Sequence, residues 1–182
     1  ITFIQNLINT LEGVSKGAKA LLDNKEWTKN ESTILAHIGD SDEKFRFAVE
    51  AALKNNLNNV IVESLEDLKR GIEYLNLNDI GKASFYFPHF EEFNNKGFIN
   101  KLNVFVEKRK ARKLEREPGF VNWASNCIKT QNKWKPVFEK ILKEICIVED
   151  LETAFDLFKK YNSFSFATLN GDFVSKEGVI EA

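Results

Sequence analysis

Ile61-Val62-Glu63-Ser64-Leu65-Glu66 and Ile147-Val148-Glu149-Asp150-Leu151-Glu152 match residue for residue except that Ser64 is exchanged for Asp150. Each stretch opens on β-branched residues suited to a buried strand. Each then reaches Ser or Asp, whose short oxygen-bearing side chain can accept from the free N–H groups that open a helix. Ser64-Leu-Glu-Asp67 fits a capping pattern leading into a helix to about Leu75, with Asp a weaker fourth residue than Glu. Asp150-Leu-Glu-Thr153 opens a second helix, to about Tyr161. An aromatic strand follows each helix: Ala83-Ser-Phe-Tyr-Phe87, ended by Pro88, and Ser163-Phe-Ser-Phe-Ala167, followed by an Asn170-Gly171 hairpin turn into Phe173-Val174. Apolar strands match by chance often, but shared caps, similar helix lengths and aromatic exit strands together favour a duplication. The chain reads as two related α/β lobes.

Working outward, Phe3, Leu7, Leu11, Val14, Ala18, Leu21 and Leu22 form one apolar stripe at helical spacing over Thr2 to Asp23. Gly13 and Gly17 interrupt it, each at about 1 kcal/mol of helix propensity, and so mark a break or a close packing contact before a second short helix. Thr33-Ile-Leu-Ala-His-Ile38 suits a strand, with His37 a core residue inside it, and Glu43 to Lys54 a helix burying Phe47, Ala48, Ala51 and Ala52. Asn55 to Asn59 is a turn, because Asn tolerates left-handed backbone. Pro136 to Glu144 is helical and precedes the Ile145 to Val148 strand.

The 182 residues are 43% apolar and 29% charged, a globular balance with a formal charge of −1. No apolar run approaches the roughly 18 residues of a membrane span, and ITFIQNLINT has no basic stretch like that of a secretory signal. The chain contains no Met, which suggests an internal piece of a longer protein. Cys127 and Cys146 sit among apolar neighbours and read as buried free thiols. With His37 and His89 the sole histidines, no His-based metal cluster is expected. Gly81-Lys-Ala-Ser84 lacks the spacing of a phosphate loop, there is no G-x-S-x-G elbow, and no nucleophile–base pair is evident, so no catalytic residue is assigned.

Charge is concentrated between the lobes. Lys101 to Lys140 holds 11 basic residues against 4 acidic ones, densest at Lys108, Arg109, Lys110, Arg112, Lys113 and Arg116. A solvated helix face or connector is the commoner meaning of such a run; the alternative is a phosphate-binding patch. Phe120, Trp123, Trp134 and Phe138 alternate with polar residues as core positions do, which favours packing over stacking on bases.

The order of these motifs resembles the hinge domain of SMC (structural maintenance of chromosomes) proteins, bacterial type. The resemblance is carried by Glu117-Pro-Gly-Phe-Val-Asn-Trp-Ala-Ser-Asn126, Lys135-Pro-Val-Phe-Glu-Lys-Ile-Leu142, Ile145 to Ala154 and Thr168-Leu-Asn-Gly-Asp-Phe-Val-Ser-Lys-Glu-Gly178. Gly81-Lys-Ala-Ser-Phe85 is similar to the family's G-R-A-[TS]-F, with Lys82 in place of Arg, and Leu11 to Leu22 is similar to the coiled-coil exit of bacterial members. Lys96-Gly-Phe-Ile99 is a reduced form of the glycine-rich stretch between the lobes, and Ala182 stands where a glycine is usual.

The resemblance implies a mixed α/β (α+β) fold: a coiled-coil exit helix (1–27), subdomain I (28–100), a basic connector (101–118) and subdomain II (119–182). It implies no catalysis and no cofactor in this stretch, with ATPase heads elsewhere in the full-length protein. The implied role is homodimerisation joining two SMC arms in chromosome segregation, through strand edges with Phe85, Tyr86, Phe87, Gly171, Gly178, Val179 and Ile180 as candidate contributors. Sequence-nonspecific DNA binding by the six basic residues is the added expectation, and a DNA-binding module without dimerisation the alternative. Kleisin and accessory subunits would bind outside this stretch, and the setting would be cytoplasmic and nucleoid-associated, with no membrane partner.

Overall fold

The computed structural model describes residues 14–89 and 101–182, without the side chains of 101–106. Gly13, most of the coiled-coil-exit stripe and Lys96-Gly-Phe-Ile99 lie outside the described residues. Six α-helices and several short sheets are described, divided between two compact units. The first takes 14–40 and 55–89; the second takes 41–54 and 101–182.

In the first unit, helix α1 (Lys16–Asp23) starts at Ser15, whose Oγ accepts from the Ala18 N–H at 3.2 Å. A short helix is found as expected, but Gly17 lies inside it at its second position and does not break it. Strands β1 (Thr33–Ile34), β3 (Val60–Ile61) and β4 (Phe85–Tyr86) form a sheet in the order β1-β3-β4. β1 runs antiparallel to β3, and β4 runs parallel to it, with Val60 opposite Phe85 and Ile61 opposite Tyr86. Helix α3 (Leu65–Leu77) makes the crossover between the parallel pair. Ser64 caps it as its sequence predicts: Oγ accepts from the Asp67 N–H at 3.0 Å, and the buried Asp67 carboxylate accepts from Ser64 Oγ and Asn30 Nδ2. Leu21, Trp27, Ile34, Val60, Val62 and Leu75 form the core, each large side chain worth about 1.5–3 kcal/mol of transfer free energy. The expected strand over Thr33 to Ile38 is cut short. A single 3-10 turn occupies Leu35–His37, and His37 lies exposed rather than in the core, its pKa lowered by the partial desolvation of its ring.

Strand β2 (Gly39–Ser41) marks the boundary between the units. Helix α2 (Arg46–Leu53) belongs to the second unit, which differs from its sequence assignment to subdomain I. Its buried face is Ala48, Val49, Ala52 and Leu53, with Phe45 just ahead of it, while Phe47 is 51% exposed instead of buried. A single residue of register along the helix, about 100° of rotation, separates that face from the expected one.

Helix α4 (Lys101–Leu114) takes the place of the expected connector. Leu114 is fully buried in the second unit's core, so this stretch is an integral element of that unit. Strand β5 (Phe120–Trp123), the short strand β6 (Ile128–Thr130) and helix α5 (Lys135–Ile141) lead to β7 (Ile145–Val148). Helix α6 (Leu151–Lys160), capped by Asp150 accepting from the Thr153 N–H at 2.8 Å, connects β7 to the parallel strand β8 (Ser165–Thr168). The hairpin strands β9 (Phe173–Val174) and β10 (Ile180–Glu181) complete the sheet in the order β10-β9-β8-β7-β5. Its core gathers Leu114, Cys146, Val148, Leu157, Phe164 and Phe166. Trp134 and Phe138 are buried as expected, and Phe120 and Trp123 are partly so. Both thiols are buried. Burial pushes Cys127 up to about 11, against the pull of Lys44, and raises Cys146 further still.

Candidate functional site: the open edges of two sheets

Among the described residues, β4 ends the first sheet and β10 ends the second on the side away from β5. A terminal strand offers backbone N–H and C=O groups to a further strand, and natural sheets rarely leave such an edge long or apolar. Both edges here are short, and both coincide with the stretches expected to meet another copy.

The β4 edge is positioned by parallel bonding to β3: the Val60 N–H donates to the Ser84 carbonyl at 2.8 Å and the Val62 N–H to the Tyr86 carbonyl at 3.0 Å. Phe85 and Phe87 pack against the first unit's core, and a Cβ placed on Gly71 of α3 would sit 3.2 Å from the Phe85 ring. The rings of those two residues are therefore committed inward. The loop ahead of β4 touches α1: a Cβ on Gly17 would lie 2.5 Å from the Lys82 carbonyl oxygen and 3.1 Å from the Ala83 nitrogen. Gly17 thus brings backbone against backbone and sets where Gly81-Lys-Ala-Ser84 enters the edge strand.

At the β10 edge, Val179 and Ile180 are 55% and 53% exposed, unusual for aliphatic residues next to a strand end. Ile180 lies opposite Val174, and Lys54 of the same unit reaches Glu181 at 2.7 Å. Gly178 has φ +88° in the β9–β10 turn, where its N–H donates to the Ser175 carbonyl and nothing lies within 4 Å of an added Cβ. Its glycine serves the turn, while the space beside it is open. Gly171 belongs elsewhere: at φ +100° it closes the β8–β9 hairpin, its N–H donates to the Thr168 carbonyl, and an added Cβ would press on Phe47 at 3.3 Å. Of the seven candidate contributors, Gly171 alone is not placed at an edge or in the turn beside one.

Lys108, Arg109, Lys110, Arg112, Lys113 and Arg116 are all exposed, on α4 or in the turn just after it. The five apart from Lys110 project within about 140° of arc, opposite the Glu107, Ala111 and Leu114 side. None of the six has an acidic partner within ion-pair distance among the described residues. Groups of three or more His, Cys, Asp or Glu able to hold a metal ion are absent among the described residues.

The architecture defines a class: two βαβ units of common design, each sheet ending, among the described residues, on a short strand. The chain belongs to the SMC proteins' Flexible Hinge Domain family, whose model matches residues 29–158. It is 30% identical over 171 residues to the chromosome partition protein Smc of Fusobacterium nucleatum and 28% identical over 147 residues to that of Methanocaldococcus jannaschii. Those matches take in 93% and 81% of this chain but only 13% and 11% of the relatives. In fold it is similar to the SMC hinge domain of Geobacillus stearothermophilus, solved as an asymmetric dimer, with TM-score 0.77 and 20% identity over 99% of this chain and 70% of that one. The Pyrococcus furiosus SMC hinge domain superposes with TM-score 0.69 at 18% identity, covering 98% of this chain and 84% of its own.

Proposed function

We propose that this hinge domain pairs with a second copy, the β4 edge of one copy facing the β10 edge of the other, and so joins two SMC arms. A two-fold axis makes two such contacts from one pair of surfaces and closes the assembly. The observation that carries this reading is the exposed Val179–Ile180 pair on a terminal strand, in a family whose Geobacillus stearothermophilus member crystallised as a dimer. In the whole protein, ATP hydrolysis at remote heads and the binding of kleisin and accessory subunits belong to the part outside this chain. Among the described residues no helix is long and apolar enough to cross a membrane. A cytoplasmic, nucleoid-associated setting is part of the same proposal, supported by the chromosome partition proteins among the chain's relatives.

Sedimentation velocity tests the pairing. The expected species has twice the 20.9 kDa chain mass at micromolar concentration, and Val179→Glu with Ile180→Lys is expected to return it to a monomer. These two positions are better probes than Gly178, where any side chain also strains a positive φ. A wild-type monomer, or an unaffected dimer in the double variant, would refute the edge assignment.

A second reading, DNA binding along α4, is favoured by the segregation of its cations onto one exposed face. Contacts to phosphates would be blind to sequence, and each one lost should reduce the salt slope of log K by about 0.9. Arg109→Glu, Arg112→Glu and Lys113→Glu together should abolish a mobility shift at low salt; unchanged mobility dismisses the reading.

A further inference from the structure

Beside the Glu107 and Ala111 side of α4, the second unit has an open groove of about 330 Å³, with Lys108 of the basic run at its margin. Its floor is apolar: Ala111 of α4, Trp123 of β5 and Phe164. The Trp123 indole is held in place, its Nε1–H donating to Glu115 Oε1 at 2.6 Å and its ring tilted 57° against Phe164 with centroids 5.6 Å apart. Four carboxylates, Glu107, Glu115, Glu139 and Glu144, stand around this floor with Lys108 and Lys143; Glu144 pairs with Lys176 at 2.7 Å and Glu139 faces Lys135 at 3.9 Å, which leaves Glu107 and Glu115 for a ligand. We propose that the groove takes an arginine side chain of a partner peptide, its guanidinium over the Trp123 ring and paired with the Glu107 and Glu115 carboxylates.

Three physical points lead to arginine. A groove of this size with an apolar floor and a few placed polar groups suits a small ligand or a single anchoring side chain. The ligand must carry apolar surface along its length and positive charge at its tip, which only Lys and Arg combine. Of these, the planar guanidinium stacks on an indole face and pairs with a carboxylate through two parallel N–H donors, whereas an ammonium is a strongly hydrated point charge. The protein's own groups already register the negative field. Lys176 donates to Glu144 Oε2 at 2.7 Å, and its pKa is raised by that hydrogen bond first and then by the charges of Glu144, Glu177 and Glu107. Glu115 adds to the upward push that burial gives Cys146. Glu107 and Ala111 of α4 and Glu115 just after it recur every fourth residue, which brings them to one side; Lys108, Arg112 and Arg116 repeat the interval one residue on, and of these Lys108 alone reaches the groove. This inference holds whether or not the domain dimerises.

N-acetyl-arginine amide and its neutral isostere N-acetyl-citrulline amide are the probes, read by the Trp123 indole N–H resonance of the 182-residue chain and assigned by its loss in Trp123→Phe. A saturable shift with a dissociation constant in the millimolar range is expected for arginine, with citrulline about tenfold weaker. Glu107→Gln with Glu115→Gln should weaken arginine at least about fivefold, since glutamine keeps an acceptor for the indole and removes only charge. An otherwise unchanged spectrum of the double variant confirms that the fold is kept. Equal shifts from arginine and citrulline, undiminished arginine binding in the double variant, or no shift at all up to about 50 mM would each overturn the proposal.

Discussion

Gly17→Ala sets two well-defined effects against each other. On helix propensity alone the substitution should stabilise the chain, since alanine is worth about 1 kcal/mol over glycine in a helix and Gly17 has ordinary helical backbone in α1. The structure predicts the opposite. The new Cβ would stand 2.5 Å from the Lys82 oxygen and 2.7 Å from the Lys82 carbonyl carbon, both backbone atoms that no rotamer change can move. Forcing extra volume into a contact costs about 1–3 kcal/mol, and 2.5 Å from fixed backbone lies at the upper end, so after the propensity gain of about 1 kcal/mol the net loss should be about 2 kcal/mol. For a chain of this length that lowers the unfolding midpoint by about 4–8 °C. Trp27, 4% exposed in the first unit, reports that unit by fluorescence in a urea or thermal titration. Gly71→Ala is the internal comparison: its Cβ would meet the Trp27 and Phe85 rings at 3.1–3.2 Å, where side chains can give by tenths of an ångström. Its effect should therefore be smaller than that of Gly17→Ala. Because Lys82 precedes β4, Gly17→Ala should also weaken pairing with a second copy. A neutral or raised midpoint would show that the Lys82 loop yields freely, and would remove the argument that α1 positions the edge.

Ser64→Ala should destabilise the first unit by about 1 kcal/mol, as judged by the Trp27 transition in urea, since it removes the acceptor of the Asp67 N–H. The Asp150 carboxyl is held below its ordinary 3.8, first by the backbone N–H of Thr153, and Glu117 below its ordinary 4.5, first by the Tyr161 hydroxyl and then by Lys160. Carboxyls depressed by folding contribute stability that is present above their unfolded values and lost as pH falls through the folded ones, so the midpoint should drop below about pH 4, and less steeply in Asp150→Asn. Both cysteines should resist iodoacetamide at pH 8 until denaturant is added, and rapid labelling of the native chain would contradict their burial.

The duplicated stretch was legible because capping is local chemistry: Ser64 and Asp150 make the same bond to the third residue onward, Asp67 and Thr153, at corresponding places in the two units. Of the two meanings offered for the glycines, a break or a close contact, Gly17 proves to be the close contact, inside an unbroken helix. The unit to which α2 belongs was not legible, because an amphipathic helix encodes a buried face but not the sheet that covers it. Phe47 misled for a related reason: it is the most apolar residue of its segment, yet it lies over the Gly171 turn, with the Arg46 guanidinium 4.7 Å from its ring centroid. The groove under α4 left only a faint trace in the sequence, the four-residue spacing of Glu107, Ala111 and Glu115 inside a run that reads as uniformly basic.

The sheet orders explain why pairing with another copy is the natural outcome of this duplication. In the first unit an antiparallel strand, β1, flanks β3, and β4 lies parallel on the other side; in the second, β5, β7 and β8 repeat that arrangement. The second unit then adds β9 and β10 beyond β8, while among the described residues the first sheet stops at β4. The end of the second sheet's hairpin carries the exposed Val179 and Ile180. In the proposed pairing, the β4 edge of one copy meets the outer strand of the other copy's hairpin across a two-fold axis. It follows that damage to either edge should break both contacts of a dimer at once, so heterodimers of wild-type chain with the Val179→Glu, Ile180→Lys variant should retain one contact and fall between the two homotypic species in affinity.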